Sequence, residues 1–100
     1  MIALMQLIYV HPGKEKAFEE FEAIVLPLLP RYGGELLLRL RPDAASFIAG
    51  TYEVPYEMHL VSFETEAGLA GYSSDEVRQR FLHLKHESIR SSLLFKGTLA

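Results

Sequence analysis

The order in which two kinds of hydrophobic periodicity alternate is the most constraining feature of this chain. A β-type segment opens the sequence, an amphipathic helical segment follows, two further β-type segments come next, and a second helical segment precedes a final strand. Side chains on a strand alternate between faces, whereas a helix brings residues three and four apart onto one side. This order predicts an α+β domain whose antiparallel sheet carries its helices on one face.

Four strands are predicted. The first spans Ile2 to Val10 and is apolar on both faces except at Gln6, as expected of a central strand. The others are predicted over Glu35 to Arg41, Tyr56 to Glu64 and Leu93 to Leu99. In the second strand, strict alternation places three leucines on one face: Leu36, Leu38 and Leu40. The spacing of these segments is typical of a ferredoxin-like βαββαβ domain.

The helical segments carry their own start and stop signals. Apolar residues three and four apart predict a first helix from Lys14 to Tyr32, whose last turns should be bent or frayed by Pro27 and Pro30. Gly33 and Gly34 supply the left-handed stop. The acidic residues Glu15, Glu19, Glu20 and Glu22 are predicted to lie mainly on the side of this helix away from the apolar stripe.

The second half of the chain predicts two further helices and an irregular connection. Thr65 is a suitable cap for a short helix over Glu66 to Tyr72. Ser73, with Glu76 three residues later, forms a capping-box pattern for a second helix that runs to about Arg90. Residues 42–54 form a turn-rich connection that contains one short β-like piece, Phe47-Ile48-Ala49.

Composition limits the classes of function. A length of 100 residues predicts a single domain over residues 1–100. The net charge is −3 with acids and bases interspersed, so no basic face is available for nucleic acid or for an anionic membrane surface. Because cysteine is absent, disulfides and thiolate chemistry are excluded. The first residues lack the pattern of a signal peptide, which predicts a cytoplasmic location.

The sheet predicts a homodimer. Two helices can cover only one face of a four-stranded sheet, yet the first strand is apolar on both faces. The more polar faces of the second and third strands, which would be the open ones, still carry Leu37, Val61 and Phe63. Packing this face against a second copy would remove the exposed apolar patch. The alternative is a monomer with an unusually apolar sheet.

Several stretches resemble known families. Pro12-Gly13-Lys14 before a helix that ends in Leu26-Pro27-Leu28-Leu29, followed by Arg31-Tyr32-Gly33-Gly34, resembles the opening of dimeric α/β-barrel proteins of the NIPSNAP type. Residues 63–67 and 71–77 are similar to a bacterial family of unknown function in the same superfamily. The resemblance implies a dimeric α/β barrel. Haem-degrading members of this superfamily use an Asn, a Trp and a His, but this chain has neither Asn nor Trp. By analogy of fold alone, the resemblance then implies cofactor-independent monooxygenase- or isomerase-like chemistry.

One group of polar residues on neighbouring strands is the candidate site. His59 shares a strand face with Glu57 and could meet Arg39 and Arg41 across the sheet. His59 is the predicted general base, while both arginines, Glu57 and Tyr9 are predicted to bind an anionic substrate. The alternative is a structural ion-pair network in which the arginines pair with Glu57 and Glu35.

No metal or cofactor site is predicted. His83, His86 and Glu87 share one sector of the second helix, but the sequence offers no certain third ligand and no zinc-protease signature. A solvated polar face is the simpler interpretation. The glycines are scattered as turn and cap residues, so no phosphate-cradling loop is formed. The leading hypothesis is a homodimer that binds a small, partly apolar or anionic molecule between sheet and helices; the alternative is a non-catalytic dimeric scaffold.

Overall fold

The computed structural model describes residues 1–100 and contains one antiparallel sheet with the strand order β2-β3-β1-β4. The strands are β1 (Ile2–Val10), β2 (Gly34–Leu40), β3 (Glu57–Phe63) and β4 (Ile89–Thr98). The helices are α1 (Glu15–Val25), α2 (Glu66–Ser73), α3 (Glu76–Arg80) and α4 (Leu82–Ser88), with 3₁₀ turns over Leu26–Tyr32 and Ala44–Ser46. None of these helices has the length and apolar character needed to cross a bilayer. The ferredoxin-like α+β fold predicted from the sequence is confirmed.

Helix α1 supplies three of the nine buried hydrophobic residues of the core. Phe18, Phe21 and Val25 lie on its buried stripe, and the chain continues from Leu26 as a 3₁₀ turn because the following prolines cannot donate α-helical hydrogen bonds. Gly33 ends this turn in the left-handed region, with φ of 70°. The predicted bend and stop therefore occur where the sequence placed them.

The second helical region differs from its prediction. The N-cap is Asp75 rather than Ser73, because the Asp75 carboxylate accepts hydrogen bonds from the backbone N–H groups of Val77 and Arg78. The expected single helix is interrupted at Phe81, whose ring packs against the buried side chains of the α1 core. Helix α4 ends at Ser88, and strand β4 begins at once with Ile89, four residues earlier than the strand predicted from Leu93.

A bulge in β2 changes which side chains share a face. The pairing with β3 shifts register between Leu36 and Leu38, so Leu36 lies opposite Val61 whereas Leu38 lies opposite Leu60. Leu36 therefore shares the helix-covered face with Arg39, and Leu38 and Leu40 lie on the open face. The prediction that all three leucines share one face is wrong, because strict alternation does not allow for the extra residue that a bulge inserts into a strand.

The connection between β2 and β3 contains no strand. Its only regular element is the 3₁₀ turn, which Asp43 and Ser46 close as a reciprocal capping box. The predicted β-like piece from Phe47 to Ala49 has no strand partner, and the side chain of Ile48 is 97% exposed.

The face of the sheet that the homodimer prediction took as open is the face that the helices cover. Glu57, His59, Val61 and Phe63 lie on the face covered by the helices, where Phe63 is 1% exposed. The open face instead carries a band of apolar side chains from all four strands: Met5, Leu7, Leu38, Leu40, Met58, Leu60, Leu93 and Phe95. The apolar open face was predicted, but its residues were misassigned because alternation alone does not say which side meets the helices.

Replacing Gly68 by alanine is expected to lower the free energy of unfolding by about 2 to 3 kcal/mol, as in other overpacked sites. A Cβ atom at Gly68 would lie 2.2 Å from the carbonyl oxygen of Tyr32, and a backbone atom cannot move aside cheaply. Gly97 is the matched control because a Cβ there would meet nothing within 4 Å. Urea unfolding of Gly68→Ala and Gly97→Ala measures the difference, and equal midpoints would contradict this close contact between α2 and the 3₁₀ turn.

Candidate functional site

A buried carboxylate on β3 is the centre of the polar group. Glu57 is 0% exposed and accepts hydrogen bonds from Nε of Arg39 at 2.8 Å and from Nε of Arg41 at 2.9 Å. Nε2 of His59 contacts the same carboxylate oxygen as Arg39. The alternation of β3 places Glu57 and His59 on one face, and the register pairs His59 with Arg39 on β2.

Helix α1 closes this network from the other side. Glu19 lies 3.5 Å from the guanidinium of Arg39 and also pairs with Arg41, while its Oε1 accepts a hydrogen bond of 3.1 Å from the hydroxyl of Tyr56. The structural alternative considered from the sequence paired the arginines with Glu35 as well as with Glu57. Glu35 instead lies opposite Ser62 and is exposed, because the bulge follows it in β2.

The charge state of Glu57 follows from these contacts. Burial alone would raise the pKa of this carboxyl group, but the hydrogen bonds from His59, Arg39 and Arg41 outweigh that cost and lower the pKa from 4.5 to about 2. Glu57 is therefore ionised throughout the physiological pH range. The same hydrogen bonds raise the pKa values of both arginines.

A cavity of about 320 Å³ lies between the covered face of the sheet and the helices. Its floor comes from β1, β3 and β4, and its walls come from α1, α2, α3 and α4. Eleven of its seventeen lining residues are hydrophobic, which suits a partly apolar ligand. The remaining lining residues are Gln6, Glu22, His59, Ser73, Arg78 and Lys85.

Glu22 is the acid in this cavity. It lies on α1 with 5% of its surface exposed. The neighbouring residues act on its pKa through their charges. Burial is the largest influence and raises the pKa of the Glu22 carboxyl, while the positive charge of a protonated His59 would act in the opposite direction. A carboxyl group whose pKa is raised by burial is a candidate acid or base.

Two basic residues line the cavity near this acid. Arg78 on α3 has its guanidinium over the rings of Tyr72 at 5.2 Å and Phe21 at 5.8 Å, and its Nε is buried without a hydrogen-bond acceptor. Lys85 on α4 has a pKa that burial lowers, an effect to which the positive charge of Arg78 adds. A buried donor without an acceptor is costly, so a ligand that supplied an acceptor there would bind favourably.

The structure brings together four of the five predicted site residues. Glu57, His59, Arg39 and Arg41 form one cluster, but only His59 lines the cavity, because the arginines lie on the far side of Glu57. Tyr9 lies on the opposite face of the sheet. Its hydroxyl donates a hydrogen bond of 2.9 Å to the carbonyl oxygen of Glu53, beside a second cavity of about 410 Å³ beneath the β2–β3 connection.

The sequence did not predict the three charged residues of the cavity other than His59: Glu22, Arg78 and Lys85. Glu22 had a detectable signal, because it lies four residues after Phe18 and three before Val25, within the apolar stripe rather than opposite it. Arg78 and Lys85 each follow an apolar residue of the predicted helix stripe, and basic residues beside such a stripe usually face solvent, so the pattern gave no signal for them.

Charge balance at the site favours an anion over a metal ion. Glu22, Glu57 and His59 could offer ligand atoms within 4.8 Å of one another. However, two arginines already neutralise Glu57, and Arg78 and Lys85 add positive charge in the cavity that Glu22 lines. The helical trio His83, His86 and Glu87 is exposed, as expected of a solvated polar face.

Solved structures share this fold across nearly the whole chain. A protein of unknown function from Rhodopseudomonas palustris is 14% identical with a TM-score of 0.84, covering 99% of this chain and 82% of its own. A NIPSNAP domain protein from Burkholderia xenovorans is 13% identical with a TM-score of 0.70, covering 100% and 95%. A dimeric ferredoxin-like protein from Jannaschia sp. CCS1 is 19% identical with a TM-score of 0.71, covering 98% of each chain.

These likenesses show that the chain shares its fold with a NIPSNAP domain protein and with a dimeric ferredoxin-like protein. The chain matches no protein-family model and no curated protein. The sites of the three structures are not carried over, because identities of 13 to 19% establish a shared fold alone.

Proposed function

We propose that this chain forms a homodimer in which each protomer binds a small, partly apolar anion in the cavity between its sheet and helices. The observation that carries the proposal is the buried Nε of Arg78, which has no acceptor within the protein. A carboxylate or enolate oxygen of a ligand would supply that acceptor. The apolar majority of the lining would cover the rest of the ligand.

The acid and base groups of the cavity support proton transfer as its chemistry. His59 and Glu22 both line it, and the pair of arginines holds Glu57 against His59 and so fixes the imidazole orientation. Such groups suit isomerase-like rather than monooxygenase-like reactions, because moving a proton needs only a positioned acid and base. In this proposal Arg39 and Arg41 position His59 through Glu57.

The open sheet face supports the dimer. Met5 is 44% exposed, Leu38 47% and Phe95 59%, and they belong to one band that crosses all four strands. We expect a second copy of the chain to cover this band. In a two-fold dimer the same surface packs against itself, and an apolar, uncharged surface can do so without bringing like charges together. The dimeric ferredoxin-like protein from Jannaschia sp. shares the fold that presents such a face.

Replacing Arg78 by glutamine is expected to weaken binding of phenylpyruvate, a small aromatic carboxylate, by about 10- to 100-fold. This range corresponds to the loss of one charge-assisted hydrogen bond of about 1.5 to 3 kcal/mol. Isothermal titration calorimetry measures the change. Arg80→Gln is the matched control, since Arg80 lies on the same helix α3 but is exposed. Equal affinity of Arg78→Gln and wild type, or no binding to either, would contradict the proposal.

A non-catalytic dimeric scaffold is the second candidate. It is favoured by the cluster around Glu57, in which Arg39, Arg41 and Glu19 already satisfy one another. In that case the cluster would stabilise the sheet and the cavity would bind no small anion. A stable dimer that fails to bind phenylpyruvate and related carboxylates would favour this candidate.

A further inference from the structure

The carboxyl group of Glu22 stands out among the buried polar groups of this chain. The other buried acids are engaged: Glu57 binds two arginines and His59, and Asp75 caps α3 and accepts a hydrogen bond from Tyr32. Glu22 is 5% exposed and lines the cavity, and its pKa is raised by burial without the hydrogen bonds that lower the pKa of Glu57. A carboxylate that faces a cavity without a donor from the protein is available to a ligand.

The groups around Glu22 are arranged as an acid–base site needs them. A ring nitrogen of His59 lies within 4.8 Å of a Glu22 carboxylate oxygen, but Nε2 of His59 is engaged by Glu57. Glu22 is therefore the less committed proton acceptor of the two. Arg78 and Lys85 line the same cavity, the Nε of Arg78 has no acceptor, and both cations would stabilise negative charge that develops on a substrate.

We infer that Glu22 is the catalytic base of this cavity and that its substrate is a small carboxylate whose carbonyl group has an acidic C–H bond beside it. The inference rests on the proposed anion-binding function of the cavity. The proton is therefore transferred by Glu22 on α1, and not by His59 on β3 as the sequence predicted. His59 becomes a positioning residue, which lies within 4.8 Å of the Glu22 carboxylate and is itself held by Glu57.

The reaction balances without another reactant. The Glu22 carboxylate takes the proton from the carbon beside the carbonyl group, and the C–H electron pair becomes a carbon–carbon double bond. The carbonyl π electrons move onto oxygen, and the resulting enolate accepts a hydrogen bond from Nε of Arg78. The protonated Glu22 then returns the proton to the enolate oxygen or to a conjugated carbon, which completes a tautomerisation or isomerisation.

Exchange of the benzylic hydrogens of phenylpyruvate for deuterium in D₂O, followed by ¹H NMR, tests the inference. The wild-type chain is expected to accelerate exchange, and Glu22→Gln is expected to lose about 100-fold or more of that acceleration, the usual contribution of a general base. Glu20→Gln is the matched control, since Glu20 is an exposed acid on the same helix. His59→Gln is expected to lower the rate less and to shift its pH dependence.

Calorimetric binding of phenylpyruvate to the same proteins separates this inference from the proposed function. Tight binding by Glu22→Gln together with lost exchange supports a catalytic Glu22. Binding by wild type without accelerated exchange, or exchange that is equal in wild type and Glu22→Gln, overturns the inference while the anion site stands. Absence of binding to wild type overturns both.

Discussion

Replacing Glu57 by glutamine is expected to lower the free energy of unfolding by about 3 kcal/mol, near the lower end for breaking a buried ion pair. The variant removes the charge that Arg39, Arg41 and His59 share. The arginine side chains are 32% and 46% exposed, so water can solvate them in the variant, and this keeps the loss of stability near the lower end. His59 is 5% exposed and cannot be solvated in the same way, so a loss remains. For a domain of this size the melting temperature should fall by roughly 15 °C.

The pH dependence of this effect has a definite sign. In the folded chain the pKa of Glu57 is lowered from 4.5 to about 2, so the folded state favours the ionised form. The resulting stabilisation is fully present above the unfolded pKa and is lost as pH falls from about 5 towards 2; by linkage it amounts to about 3 kcal/mol. Glu57→Gln lacks this contribution at every pH, so the two stability curves should converge in acid.

Urea unfolding of wild type and Glu57→Gln between pH 2 and pH 7 measures this convergence. Glu35→Gln is the control, because Glu35 is exposed and belongs to neither the cluster nor the cavity. Curves that stay parallel down to the acid limit would show that Glu57 does not owe its effect to ionisation. A loss equal to that of Glu35→Gln would show that the cluster around Glu57 contributes nothing to stability.

The architecture was predictable because periodicity and punctuation agree in most of the chain. Ile2–Val10 is apolar on both faces and is indeed a central strand, since β1 pairs with both β3 and β4. Gly33 was expected to stop the first helical segment and has the φ of 70° that glycine tolerates. Local rules of this kind need only neighbouring residues, which a sequence supplies directly.

The candidate site was only partly predictable because it depends on choices that neighbours do not determine. His59, Glu57 and Arg39 could be grouped from strand alternation, and the register pairs Arg39 with His59 as expected. Which face meets the helices is set by the whole domain, and the bulge after Leu36 alters the facing of half of β2. Glu22 was assigned to the solvent side because acids usually lie there, although its position four residues after Phe18 places it inside.

The misassigned faces strengthen the case for a dimer. Had His59 and Glu57 been on the open side, water could have covered much of that face. Instead the polar residues of β3 lie under the helices, and Met58 and Leu60 take their place outside. A patch of this kind on one face of a sheet is larger than single exposed apolar residues and indicates an interface.

Replacing Phe95 by glutamate is expected to dissociate the proposed homodimer, raising its Kd by about 1000-fold or more, while Leu94→Glu leaves that dimer intact. The two residues are neighbours on β4 with equal exposure of 59%, but they lie on opposite faces. Phe95 pairs with Met5 on the open face, whereas Leu94 pairs with Gln6 on the covered face. A two-fold interface would bury the new carboxylate twice, at a cost of several kcal/mol without a cationic partner.

Sedimentation velocity over a range of protein concentrations measures both variants against wild type, and circular dichroism checks that each is folded. Because Phe95 is already largely exposed in the protomer, its replacement should not unfold the chain, so a change in mass would reflect association alone. Dissociation by Leu94→Glu instead of Phe95→Glu would place the interface on the helix side. A wild-type chain that sediments as a monomer would mean that the apolar open face awaits a different partner.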